Sequence, residues 1–357
     1  MKKPKVSVCI PVYGTEKVLR KCLDSVAMQD FAEKEIVVVS DASCGVNEKG
    51  EDAKKIVKKF AKETKVPVVF KEHLNNLGIL ETRRDLLSFS SGDFIFYIDS
   101  DDYLEGSNAI SFLYNEAQRT NADIVNSTAI AVTENPEKNS AQQEHLQKKI
   151  GKITLGELSG SQISEDCFVN CKHCGFLWGK LIKRSLMEKA FSFIPFTECT
   201  MAEDLCLYFF LSVFAKKYFG VQERFYRYSV DSGISSAQSI TDIGRWQRVC
   251  SAASAFVPVV QFIQSPEGAC LSSSLVESMK AACNNFVANN LKQLEQRVVP
   301  ELKEQAYSLL CEYWGEDYVK TIERAIEVHF FFRMVELKHQ LTTESQIALD
   351  SLWLFLF

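Results

Sequence analysis

The chain reads as an α/β protein: a mainly parallel sheet with helices on both faces, followed by a helical C-terminal region. Three observations carry that expectation. Apolar runs such as Val6-Ser7-Val8-Cys9-Ile10 and Ile36-Val37-Val38-Val39 alternate with amphipathic stretches of helical period, the pattern of βαβ units whose strands are buried on both faces. The apolar run Phe94-Ile95-Phe96-Tyr97-Ile98 breaks into Asp99-Ser100-Asp101-Asp102, placing three carboxylates where a buried strand ends. Beyond about residue 235 strand-like runs give way to helical periodicity, so the expected division is 1–235 and 236–357.

Each element follows in order. Residues 6–10 are the first strand and 17–28 an amphipathic helix; 36–39 are the second strand. The next helix is 52–64, and the Lys-rich stretch Lys54, Lys55, Lys58, Lys59, Lys62 and Lys65 suits the outer face of a helix better than a binding patch. Residues 68–70, 79–89 and 94–98 supply a third strand, third helix and fourth strand. Further on, Glu203-Asp204 opens a strongly apolar helix over 205–215, and 224–228 reads as a strand. The Gly- and Ser-bearing segment 229–236 is expected to be a loop able to close over ligands. Helices are expected over 245–262, 271–297, 300–314 and 318–340.

Composition narrows the function classes. The chain has 357 residues, 46% hydrophobic and 24% charged, with a net charge of -5. Lacking a dominant basic tract, it does not suit a nucleic-acid binder that works by neutralising phosphates. Twelve cysteines are scattered through a chain that shows no secretory signal, which reads as reduced thiols in a cytoplasmic protein. Cys167, Cys171, His173 and Cys174 bring four soft ligands together, but C-x3-C-x-H-C fits no common zinc module. No apolar run is long enough to span a bilayer. The apolar end Leu352-Trp353-Leu354-Phe355-Leu356-Phe357 suits docking on the body of the protein, or contact with a membrane or partner.

In open parallel sheets ligands bind beyond the carboxyl ends of the strands. The acidic cluster falls there, together with Pro11-Val12-Tyr13-Gly14 and Ser40-Asp41-Ala42-Ser43. Oxygen-only ligands at such a site suit Mg²⁺ or Mn²⁺, although an Asp-rich turn that merely caps a helix has the same composition. The first strand-to-helix turn has neither the glycine fingerprint of dinucleotide folds nor a P-loop. A dehydrogenase or an ATPase is therefore not expected, and a phosphate-bearing ligand would be neutralised by metal instead.

The ordered set of motifs resembles family 2 glycosyltransferases of the GT-A fold, of the kind that builds bacterial surface polysaccharides. Val6 to Tyr13, Cys22-Leu23-Asp24-Ser25-Val26 with Gln29, and Glu35 to Ser43 resemble the family's opening. Asn76-Leu77-Gly78 with Arg83 is similar to its N-x-G-x-x-x-A-R-N stretch, and Asp99-Ser100-Asp101-Asp102 to its D-x-D motif. Trp178-Gly179-Lys180 with Arg184, and Glu203-Asp204, resemble its W-x-K-x-x-x-R and E-D elements. The chain departs from the pattern at Ser40, Gly14, Arg84 and Leu86, which bear on donor choice more than on fold.

The resemblance implies a metal-dependent, inverting transfer from a nucleotide-sugar, here expected to be a UDP-sugar, to a glycan or lipid-linked glycan. Asp101, with Asp99 and Asp102, would hold Mn²⁺ or Mg²⁺; Asp99 would also face the ribose, next to Ser100. Pro11, Val12 and Tyr13 would border the base, Asp41 would accept a uracil N3–H, and Arg83 would hold a phosphate or a carboxylate. Asp204, with Glu203, is the expected general base; Trp178 and Lys180 would line the acceptor or donor sugar, unless Trp178 is a core aromatic. A lipid-linked acceptor would place the enzyme at the inner face of the membrane. The helical region 236–357 fits packing on the catalytic part, completing the acceptor side, or pairing two copies of the chain. Two other classes compete: a nucleotidyltransferase, which would need a glycine-rich basic loop after the first strand, and a noncatalytic sugar-nucleotide or partner-binding module.

Overall fold

The computed structural model describes residues 3–232 and 239–339. The chain divides into two compact units, Met1–Ser236 and Ala237–Phe357.

The first unit begins β1 (Val6–Val12), α1 (Glu16–Ala27), β2 (Lys34–Ser40), α2 (Ala53–Glu63), β3 (Val68–Glu72), α3 (Ile79–Phe89) and β4 (Phe94–Tyr97). It continues with β5 (Tyr103–Leu104), α4 (Ala109–Thr120), β6 (Ile124–Asn126), β7 (Ala129–Val132), α5 (Pro136–Ile150), β8 (Gly156–Ser159) and α6 (Ser161–Ser164). Last come β9 (Lys180–Lys183), α7 (Arg184–Ser192), α8 (Glu203–Phe214), β10 (Lys217–Gly220) and β11 (Tyr226–Ser229). Eight strands form one sheet in the order β3-β2-β1-β4-β9-β6-β10-β8. Its first four are parallel, β9 runs antiparallel to both β4 and β6, β10 is parallel to β6, and β8 is antiparallel to β10.

The reason for this half of the fold is visible in β1. All seven of its residues are buried, with Val6, Val8, Ile10 and Val12 at 0% exposure in the same apolar core as Leu19, Leu23 and Val26 of α1 and Ile56, Val57 and Phe60 of α2. A strand covered on both faces needs apolar residues throughout, and β-branched ones suit the pleat. Asp52 caps α2 by accepting from Lys55 N at 2.8 Å, the usual satisfaction of a helix's orphan N–H groups.

A second, three-stranded sheet orders β5-β11-β7, with β11 parallel to β7 and antiparallel to β5. Its β5 follows the acidic segment directly in the chain, and its β11 sets that segment's position, as shown below.

The second unit holds α9 (Ile243–Cys250), α10 (Ala252–Gln264), α11 (Ser273–Arg297), α12 (Lys303–Trp314) and α13 (Glu316–His339). Its core gathers Trp246, Cys250, Val287, Leu310 and Val319, and the buried Trp246 Nε1 donates to Ala306 O at 2.7 Å. The helix expected over 245–262 is two helices that break at Ser251, whose hydroxyl donates to Arg248 O, a local side-chain bond that competes with helix continuation. The expected helix from 300 starts as a 3-10 turn at Pro300–Leu302 before α12. Residues 233–236 of the expected closing loop, Gln340 and the apolar end 352–357 lie outside the described residues. Among the described residues no helix is long and apolar enough to cross a membrane.

Candidate active site

The acidic segment leaves β4 and turns at once, with Asp102 N donating to Asp99 O at 3.0 Å. Its four residues have different fates. Asp99 keeps 28% of its side chain exposed. Ser100 is buried, with its hydroxyl 2.6 Å from Thr15 Oγ1. Asp101 is half-buried and its carbonyl accepts from Ser229 Oγ at 2.7 Å.

Asp102 is turned into the protein at 2% exposure. Its Oδ2 accepts from Tyr226 Oη at 2.6 Å and its Oδ1 from Ser229 N at 2.7 Å. Burial together with Asp101 and Asp99 pushes its pKa well up, because a neighbouring carboxylate and a low dielectric both disfavour the charge. Tyr226 Oη also accepts from Asp99 N at 3.1 Å. Asp102 is thus a clamp that pins the loop to β11, and Asp99 and Asp101 are the less buried carboxylates of the segment.

Arg83 of α3 is the centre of the charge arrangement. It is 2% exposed, and its Nη2 lies 3.4 Å from Asp99 Oδ1 and 3.5 Å from both Glu203 Oε1 and Asp204 Oδ1. Its guanidinium sits 5.1 Å from the Tyr97 ring centroid, while Tyr97 Oη donates to Arg83 O at 2.9 Å. Burial disfavours the Arg83 charge, but Asp204, Asp99 and Glu203 outweigh it and raise its pKa. Arg83 Nε and Nη1 and Asp204 Oδ1 are buried without a hydrogen-bond partner. Buried polar atoms in that condition are uncommon and mark a place where a ligand or water completes the bonding.

Glu203 and Asp204 form the first turn of α8, where the helix N-terminus favours negative charge. They are preceded by Ala202 at φ 65°, a left-handed conformation unusual for alanine. Burial and the neighbouring Glu203 push the Asp204 pKa up to about 8, against the Arg83 charge. Burial likewise raises Glu203. The Asp204 side chain is 22% exposed overall, so it is Oδ1 that is sealed while the rest of the carboxyl opens outward.

The expected nucleotide-side residues divide. Pro11 and Val12 are buried in β1, and Val12 O accepts from Asp41 N at 2.9 Å; only Tyr13 is exposed, at 43%. Asp41 is buried, and its carboxylate holds the 76–78 turn: Oδ1 accepts from Leu77 N at 2.8 Å and Oδ2 from Gly78 N at 3.0 Å. Gly78 has φ 85°, and a Cβ there would lie 2.5 Å from Cys199 O. Glycine is required both for the left-handed backbone and for this approach of the 197–202 segment.

Two expected sugar contacts are core residues in the structure. Trp178 is 5% exposed, stacked between Phe176 and Tyr226 with both centroids 4.8 Å away. Lys180 is buried with Nζ donating to Phe176 O and lying 5.0 Å from the Tyr208 ring; burial lowers its pKa to about 8. The His173 ring is spent on structure as well. Nδ1 meets Asp166 Oδ2 at 2.7 Å and Nε2 meets Tyr208 Oη at 2.8 Å, and burial lowers its pKa to about 4. Among the described residues no group of three or more His, Cys, Asp or Glu is arranged to hold a metal on its own. Sequence reasoning missed Tyr226, Ser229 and His73, isolated polar residues whose partners lie far along the chain; the Tyr-x-Tyr alternation of 226–228 was the available signal for the first.

Comparison with known proteins agrees with this fold. Residues 7–183 match the model of glycosyl transferase family 2. Glycosyltransferase GlyA of Streptococcus pneumoniae is 37% identical over 120 residues, 34% of this chain and 16% of that protein. The poly(ribitol-phosphate) beta-glucosyltransferase of Bacillus spizizenii is 32% identical over 122 residues, 34% of this chain and 18% of its own length. The putative glycosyltransferase EpsH of Bacillus subtilis is 27% identical over 232 residues, 64% and 62% of the two chains. Each match thus spans less than two thirds of the relative. In fold, the chain is similar to residues 1–349 of S. aureus TarS, solved in complex with UDP-GlcNAc, at TM-score 0.53 and 17% identity over 91% of this chain and 92% of that one. With the strand order, the acidic turn and the carboxylate pair on α8 already in place, these likenesses show that residues 7–183 belong to glycosyl transferase family 2, with the GT-A fold.

Proposed function

We propose that the protein transfers a hexosyl or N-acetylhexosaminyl group, with inversion, from a UDP-sugar to a glycan or lipid-linked glycan in cell-surface polysaccharide synthesis. The observation that carries this reading is the convergence of Asp99, Glu203 and Asp204 on one buried cation, Arg83.

The residues present fit a divalent cation in the manner usual for Mg²⁺, where one or two carboxylates and the substrate's phosphates share the coordination. Asp99 and Asp101 would hold it. When bound, it would neutralise the charge that develops on the leaving diphosphate.

The remaining steps belong to the chain. Asp204 takes the proton of the acceptor hydroxyl; its raised pKa gives it the basicity for that transfer. The acceptor oxygen bonds to the anomeric carbon as the bond from that carbon to the diphosphate breaks on the opposite side, which inverts the configuration. Arg83 keeps Glu203 and Asp204 beside Asp99, and the N–H groups of its unpartnered Nε and Nη1 are donors that a phosphate or carboxylate can use. A lipid-linked acceptor would bring this work to the membrane face.

The test is nucleotide release from UDP-, GDP- and CMP-sugars with Mn²⁺, Mg²⁺ or EDTA, beginning with UDP-GlcNAc because the TarS complex holds it. Metal-dependent release from one donor, lost in Asp101→Ala, supports the proposal. Asp204→Asn should lose turnover by about 10²- to 10⁴-fold while keeping nucleotide binding. Undiminished turnover in Asp204→Asn would remove the base assignment, and absence of metal-dependent nucleotide binding would remove the acidic site. Product bearing retained anomeric configuration would overturn the single-displacement mechanism.

A further inference from the structure

We infer that His73 is a positioning residue of the nucleotide pocket, holding the Asp41 carboxylate in the one orientation that leaves a single acceptor site for a base N–H. The inference rests on the UDP-sugar reading above.

His73 follows β3 directly, and its side chain is 9% exposed. Nδ1 lies 2.8 Å from Asp41 Oδ1, and Nε2 lies 2.9 Å from Asp85 Oδ2. A carboxylate oxygen accepts, so the ring serves as donor on whichever side carries an N–H, and the imidazolium form donates to both at once. Asp85 belongs to α3 and Asp41 follows β2. The imidazole therefore ties a helix to a strand end through the Asp41 side chain, the residue expected to accept from a base N–H.

Counting lone pairs gives the consequence. With the proton on Nδ1 of His73, Asp41 Oδ1 accepts from both His73 and Leu77 N, which uses its two acceptor directions. Oδ2 accepts from Gly78 N, so one direction remains. One free acceptor matches a base edge that offers an N–H, such as the N3–H of uracil, and rejects cytosine, whose N3 is itself an acceptor. Without His73, Oδ1 regains an acceptor direction and the carboxylate is held by two backbone N–H groups alone. It can then rotate, and the discrimination falls.

The experiment is UDP and CDP titration of the full-length chain by calorimetry, with Mn²⁺ present, for the wild type and two variants. His73→Phe keeps a ring and removes both donors; His73→Asn returns one donor near the Nδ1 position. Circular dichroism and a thermal melt establish that each variant is folded. The expected result is a UDP Kd raised about tenfold in His73→Phe and a UDP-over-CDP preference reduced by a similar factor. KM for the donor should rise while kcat at saturation stays near wild type, and His73→Asn should recover most of the loss. Unchanged UDP affinity in a folded His73→Phe, equal losses in both variants, or a loss of affinity for UDP and CDP alike would overturn the inference. A wild type that binds no UDP would overturn the donor reading and this inference with it, whereas UDP binding that ignores His73 removes the inference alone.

Discussion

Replacing Asp204 with asparagine should stabilise the metal-free, nucleotide-free protein at high pH. Asp204 has its pKa raised from 3.8 to about 8, with burial as the main cause and Glu203 next. For an acid whose folded pKa lies above its unfolded one, the stabilising contribution is fully present below the unfolded value, and it is lost as pH rises to the folded value. The loss therefore accumulates between pH 3.8 and about 8 and is complete above that. Asparagine cannot ionise, so Asp204→Asn escapes it. Each tenfold change in proton affinity between the folded and unfolded chain is worth about 1.4 kcal/mol, which sets a ceiling of several kcal/mol. Partial exposure of the carboxyl brings the expected gain to on the order of 2 to 4 kcal/mol. For a unit of this size that corresponds to a Tm increase of about 5 to 15 °C. Thermal melts of wild type and Asp204→Asn in EDTA at pH 4, 6 and 9 would measure it. The two curves should nearly coincide at pH 4 and separate progressively to pH 9, with the variant the more stable. A variant that is equally or less stable at pH 9 would refute the reasoning, because it would mean that Arg83 offsets the cost of ionising Asp204 in full.

Three further outcomes follow from the same geometry. Arg83→Met removes the cation shared by Asp99, Glu203 and Asp204 and should cost about 3 to 5 kcal/mol in urea unfolding at pH 7, with part of it recovered when Asp204→Asn is added; equal losses in single and double variants would contradict this. Tyr226→Phe strips the Asp102 Oδ2 donor and the Asp99 N acceptor, for an expected loss of about 1 to 3 kcal/mol and weaker Mn²⁺-dependent UDP binding, read by denaturation and calorimetry. Gly78→Ala forces a Cβ against Cys199 O at φ 85° and should cost about 1 to 3 kcal/mol, lowering turnover as well, because the displaced segment leads into Glu203.

The strands with the longest apolar runs were the legible part of the fold. β1, β2 and β4 are covered on both faces, so apolar residues announce them, whereas β6, β8, β9 and β10 carry no run of more than two apolar residues and give no such signal. Ser251 breaks a helix that the apolar spacing would have carried through, because a hydroxyl's local bond is invisible to periodicity. In the site, a carboxylate at a strand end was readable, but its direction was not. Asp102 and Asp101 are neighbours of the same type, and only Tyr226 and Ser229, far along the chain, decide that Asp102 points inward. The same holds for Trp178, whose aromatic neighbours make it core, and for Asp41, whose carboxylate is engaged by a turn and by His73.

The clamp on the acidic loop bears on how the first unit is assembled. Asp102 meets its partners Tyr226 and Ser229 across separations of 124 and 127 residues, and Arg83 meets Glu203 across 120. The stretch that carries the family match ends at residue 183, before any of those partners is made. A fragment cut at that border would hold the acidic loop and the arginine but neither the tyrosine that orients the one nor the carboxylates that balance the other. During synthesis the loop accordingly waits for β11 to emerge, since closing so long a separation must precede the contacts that reward it. The contacts that hold the acidic loop are in this sense late to form, and a piece of the first unit that keeps them runs past β11.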